Sequence, residues 1–62
     1  MKTTYYYIQE KYPSTDWRTE ALIGSLPDLK EAKDWLIKMR DAAKWMKRNA
    51  KHRILKVTEE GL

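Results

Sequence analysis

The sequence predicts a small α+β domain: a ββαβ unit whose three-stranded antiparallel or mixed sheet, in order 2-1-3, carries one long amphipathic helix on one face. Three observations point there. Residues 3 to 12 are dense in tyrosine, threonine and isoleucine and contain no Gly or Pro, the composition of a strand. From Leu29 onward apolar residues fall at 29, 32, 36, 39, 43, 46 and 50, steps of three and four that make one helical stripe. The closing segment Arg53-Ile54-Leu55-Lys56-Val57-Thr58-Glu59 returns to β-branched and aliphatic types. With 62 residues and no cysteine, the chain reads as one domain, 1–62, that holds together by apolar packing or self-association rather than by disulfides or a Cys-ligated metal.

Taken in order, the first strand covers about 3–12. Pro13-Ser14-Thr15-Asp16 is a turn, because Pro presets φ and Asp bonds its own nearby backbone. A second strand of about 17–23 follows and Gly24 closes it. Period-two alternation assigns Tyr6, Ile8 and Tyr12 to the core and Tyr5, Tyr7, Gln9 and Lys11 to the opposite face. On the second strand the same rule turns Trp17, Thr19, Ala21 and Ile23 inward and Arg18, Glu20 and Leu22 outward. Asp28 is placed to cap a helix, with Glu31 three residues on and Leu26 bracing the first turn. The helix is expected over about 29–50, with Leu29, Ala32, Leu36, Met39, Ala43, Met46 and Ala50 facing the sheet and Trp35 at the edge of that stripe. The third strand covers about 53–59 with Leu55 and Val57 inward. A right-handed crossover lays it beside the first strand, parallel to the second. One sheet face is then left without a helix.

The charge is uneven. Up to residue 28 there are three basic and four acidic side chains, and from residue 29 there are ten basic and five acidic ones. At about 100° per residue, Lys30, Lys33, Arg40, Lys44, Lys47, Arg48 and Lys51 share one flank of the expected helix, with Glu31, Asp34, Asp41 and Lys38 outside it. Three readings fit such a stripe: a solvated face whose stems cover the core edge, a surface that neutralises phosphates, or a contact for an acidic protein. Ile37 falls inside the cationic sector and Trp45 opposite the core, so both are candidate apolar anchors for a partner. On the uncovered sheet face Tyr5, Tyr7, Leu22 and Ile54 are expected to meet; self-association into a homodimer or partner contact suits that arrangement best, with tyrosines simply solvated or base stacking as the other readings.

Catalysis finds no support in the residues. His52 is the one histidine, expected in the helix-to-strand connection, with no serine or carboxylate spaced to pair with it. Asp34 with Lys38 and Asp41 with Lys44 read as surface pairs rather than a metal cluster. Gly24 and Gly61 make no phosphate loop. The expectation is therefore a protein with no catalytic residues, no cofactor and no metal. Neither a membrane span nor secretion is indicated by the residues, and a cytoplasmic protein is the default expectation.

The Met1-Lys2-Thr3 start, Tyr5-Tyr6-Tyr7-Ile8-Gln9-Glu10-Lys11-Tyr12, Trp17-Arg18-Thr19-Glu20, the Leu26-Pro27-Asp28-Leu29-Lys30-Glu31-Ala32-Lys33 helix start and Arg53-Ile54-Leu55-Lys56-Val57 together resemble small phage or prophage accessory proteins of ββαβ type. Some of these are anti-CRISPR or anti-restriction inhibitors, which implies a non-catalytic role on a host protein or nucleoprotein defence complex. Many such inhibitors are acidic mimics of DNA, and this chain is basic, so the resemblance implies docking on an acidic protein surface or a protein–nucleic-acid complex. The contacts expected for it are Lys33, Ile37, Arg40, Lys44, Trp45, Lys47, Arg48 and Lys51. The alternative is direct nucleic-acid binding through the same stripe.

Overall fold

The computed structural model describes residues 2–61. Strand β1 (Lys2–Lys11), strand β2 (Arg18–Thr19), helix α1 (Leu29–Trp45) and strand β3 (Lys51–Glu60) follow in that order. They form the expected ββαβ unit, with an antiparallel sheet in order β2-β1-β3. Since both neighbours run against β1, β3 is parallel to β2 without touching it.

The β1–β3 ladder is long and unbroken, from Lys2 opposite Glu60 to Lys11 opposite Lys51. Ten residues of strand span about 33 Å, against about 25 Å for the 17-residue helix. The molecule is accordingly elongated, 45 × 23 × 15 Å with a radius of gyration of 12.8 Å, where a compact chain of this length would give about 10.6 Å. Its core is Ile8, Leu26 and Ala32, joined by half-buried Tyr6, Ile23, Trp35, Leu36, Met39 and Ile54.

The helix starts as the sequence demands. Asp28 is extended (φ −125°) and its Oδ1 accepts from the Lys30 N–H at 3.0 Å. Its other end departs from expectation, stopping at Trp45 rather than near residue 50. The Lys47 N–H donates to the Lys44 carbonyl at 3.2 Å and the Arg48 N–H to the Ala43 carbonyl at 2.8 Å, while Lys47 takes φ +55°. This is the left-handed cap that satisfies a helix's last carbonyls, with lysine in the place glycine usually fills. Met46 is therefore exposed and Ala50 lies beyond the helix, and Leu29 at the other end of the stripe is also exposed.

The second strand is also shorter than 17–23. Its last ladder bond is the Glu20 N–H to the Ile8 carbonyl at 2.8 Å; a turn then closes from the Gly24 N–H to the Glu20 carbonyl, and Gly24 adopts φ +70°. After that excursion Leu26 rejoins β1 through two 2.8 Å bonds with Tyr6. The detour is what delivers Leu26 to the core. It also leaves Leu22 in a turn, 97% exposed, rather than on the sheet beside the tyrosines.

Register corrects three further assignments. Ile54 lies opposite Ile8 and packs with the core, so it belongs to the helix side and not with Tyr5 and Tyr7. Leu55 and Val57, expected inward, lie opposite Tyr7 and Tyr5 on the uncovered face. Thr19 pairs with Gln9 and shares its uncovered side, against the inward assignment. Directly opposed residues of antiparallel strands point to one face, so pairing and not composition decides each case. Tyr12 lies past the strand, its N–H on the Thr15 hydroxyl at 3.2 Å and its carbonyl accepting from the Thr15 N–H at 3.1 Å.

Candidate polyanion-binding groove

Where α1 ends and β3 begins, three elements meet around an open groove of roughly 590 Å³. Arg40, Ala43 and Lys44 come from α1, Arg48 and Ala50 from the connection, Lys51 and His52 from β3, and Trp17 from the segment before β2. The left-handed cap explains the gathering. By reversing the chain at Lys47 it returns Arg48 to the end of the helix and starts β3 beside it.

Four cations line this groove and no carboxylate does. Among the described residues none of Arg40, Lys44, Arg48 and Lys51 is paired with an acid. Like charges brought together raise the local potential, which favours an anionic occupant with several charged groups over a single carboxylate. A second recess, lined by Lys11, Tyr12, Pro13, Asn49 and Lys51, shares Lys51 and extends the basic rim towards the end of β1.

Part of the expected contact set is assembled here and part is not. Arg40, Lys44, Arg48 and Lys51 converge, but only the first two do so as helix residues. Lys30 and Lys33 sit towards the other end of α1, and Lys47 is exposed at the cap without lining the groove. Ile37 at 56% and Trp45 at 88% exposure are apolar surface, as the helical wheel has them, yet neither borders the groove. The expected Asp34–Lys38 pair gives way to a different contact, with the Lys38 Nζ 5.0 Å from the Trp35 ring centroid.

His52 is not in a loop. It is the second residue of β3, with a side chain 1% exposed whose Nε2 lies 2.9 Å from Glu10 Oε2 on the opposing position of β1. The pair fixes the wall of the groove. Trp17, expected in the core, instead lies under Arg53, whose guanidinium carbon is 4.2 Å from the ring centroid. Arg53 Nε donates to Gln9 Oε1 at 2.7 Å, and Gln9 Nε2 donates to the Thr19 hydroxyl at 3.2 Å. One row of polar side chains thus crosses all three strands. It leaves Arg53 a structural cation, committed to Gln9 and Trp17. Sequence reasoning missed the surroundings of His52 because Glu10 is 42 residues away, on another strand, and Trp17 precedes β2; only the folded register brings them to one groove.

Among the described residues no helix is long and apolar enough to cross a membrane, and no group of three His, Asp or Glu side chains is placed to hold a metal. No protein-family model, curated protein or solved structure matches this chain.

Proposed function

We propose that this protein is a cytoplasmic, non-catalytic interaction protein of phage inhibitor type. It docks a host protein or nucleoprotein complex through its basic groove. The observation that carries the proposal is the convergence of Arg40, Lys44, Arg48 and Lys51, unpaired with any described acid, around one groove. Chemistry is an unsuitable role for these residues. The one histidine is buried against Glu10, and the groove presents cations rather than a nucleophile with its base. A polyanionic surface such as an acidic protein patch or a phosphate backbone satisfies the cations without requiring a reaction. Ile37 and Trp45, exposed on the same helix, supply apolar contacts outside the groove.

A second reading, direct binding of nucleic acid, is favoured by Trp17, an aromatic ring bordering the cations. The two separate in a titration of labelled single- and double-stranded DNA and RNA, and of labelled polyglutamate, across a salt series. Direct duplex binding through four cations predicts a slope of log affinity on log salt of roughly −3.6. Binding of polyglutamate but not nucleic acid favours a protein surface. In either case, reversal of Arg40, Lys44 and Arg48 to Glu should abolish binding, and reversal of Lys30 and Lys33 should leave most of it. Equal losses from both sets would show that only net charge matters and would remove the groove from the account.

A further inference from the structure

We propose that β3 is a dimerisation edge: two copies pair antiparallel through β3 about a two-fold axis at Leu55 and continue the sheet to six strands. The two edges of this sheet are unlike. On one side β1 is covered by two residues of β2 and by the Leu26 bridge, a short and interrupted edge. On the other, β3 presents ten residues whose outer backbone groups have no strand partner among the described residues. Long edges are usually blunted by proline, a bulge, a twist away from the ladder or like charges that repel a second strand, and the charges of β3 are of both signs, so they select a partner rather than exclude one. β3 has no proline, its register against β1 is unbroken, and none of its residues has positive φ.

The occupant follows from the order of charges along the strand. β3 opens with Lys51, His52 and Arg53 and closes with Glu59 and Glu60, so an antiparallel copy sets each end against its opposite. The register is restricted further, because opposed residues must share a face. With the axis at Leu55, Lys51 faces Glu59 of the partner subunit, which leaves Arg40, Lys44 and Arg48 as the free cations of each groove in the dimer; Arg53 faces Val57 of the partner subunit, and no like charges are opposed. An axis at Lys56 would oppose two lysines, and one at Val57 would set Leu55 against Glu59 of the partner subunit. An axis at Ile54 would set Lys56 against His52 of the partner subunit. The Leu55 register also joins the rows of Tyr5, Tyr7, Leu55 and Val57, which the helix leaves uncovered in each copy, into one continuous face. A chain in which Ile8 is the largest fully buried side chain among the described residues gains most from such an extension.

The chain has no cysteine, so single cysteines report the register directly. Opposed residues of antiparallel strands have Cα atoms about 4.5–5.5 Å apart, within disulfide reach. Leu55→Cys is therefore expected to oxidise to a covalent dimer. Val57→Cys, whose two copies would lie about 13 Å apart along the strands, is expected to cross-link at least about tenfold more slowly. Lys51→Glu and Glu59→Lys should each weaken dimerisation in sedimentation equilibrium by about tenfold, and their combination should restore it. Far-UV circular dichroism confirms that each variant is folded. A wild-type protein that stays monomeric in light scattering at high concentration would overturn the proposal. So would Val57→Cys cross-linking as fast as Leu55→Cys, the mark of face-to-face packing, or a double charge swap that fails to restore assembly.

Discussion

On the helix side of the sheet Ile8 and Ile54 lie opposite one another under Ala32 and Leu36, whereas one residue along each strand Gln9 and Arg53 lie opposite one another with no helix above them. Ile8 and Gln9 are both buried, yet by different means. Ile8 is excluded from water by apolar neighbours, and its contribution grows with the area they cover. Gln9 is buried by its own partners, with the Arg53 guanidinium stem on one side and Thr19 on the other, and keeps its amide satisfied at both ends. The same two strands therefore carry an apolar core on one face and a polar clamp on the other. The lesson is that a single helix covers a single face of the sheet, and at this end the other face is closed by side-chain hydrogen bonds instead.

The largest test of this contrast is Ile8→Ala. Removing the largest fully buried side chain among the described residues should cost about 2–5 kcal/mol, against a total stability of about 3–9 kcal/mol for a chain of this size. Thermal unfolding followed by circular dichroism should show a transition lowered to near room temperature or lost; a shift of only a few degrees would mean that the helix side is not where the stability resides. Gln9→Ala addresses the other face. It removes two side-chain hydrogen bonds whose other ends, Arg53 and the Thr19 hydroxyl, are exposed and turn to water, and should cost about 0.5–1.5 kcal/mol, seen as a lower urea midpoint with an unchanged slope. No change would reduce the polar row to decoration on an already stable ladder.

A last expected effect bears on how far the covered region extends. Lys47 holds a left-handed conformation that costs a side-chain-bearing residue about 1–2 kcal/mol. Lys47→Gly should relieve much of this and raise the unfolding midpoint, while leaving groove binding intact because Lys47 does not line the groove. A loss of stability instead would mean that the lysine stem covers apolar surface at the cap.

Much of the fold was legible in the residues, but the side-chain assignments were less so. Asp28 announces the helix start by its own chemistry, and the tyrosine-rich run announces β1, since both signals are local. The helix stop was not legible, because the terminator is a lysine rather than a glycine and nothing local distinguishes it from the apolar rhythm that continues to Ala50. The third strand shows the same limit. Leu55 and Val57 alternate so cleanly that they read as the inward row, yet Ile54 takes that place because it stands opposite Ile8. Of the candidate site, Arg40 and Lys44 were visible as neighbours one turn apart. Arg48 and Lys51 were found for the wrong reason, on a helix that had already ended.

By itself the sequence determined the order of elements, the sheet order, the cap at Asp28, the basic second half and the apolar character of Ile37 and Trp45. These follow from propensity, periodicity and charge, which act over a few residues. Tertiary structure alone decided which face each side chain occupies, since a one-residue change of register moves an entire row across the sheet. It also decided the burial of His52 against Glu10, the clamp through Gln9, and the assembly of four cations around one groove. Those depend on a left-handed turn and a ladder between residues more than forty positions apart, a distance over which no local pattern carries information.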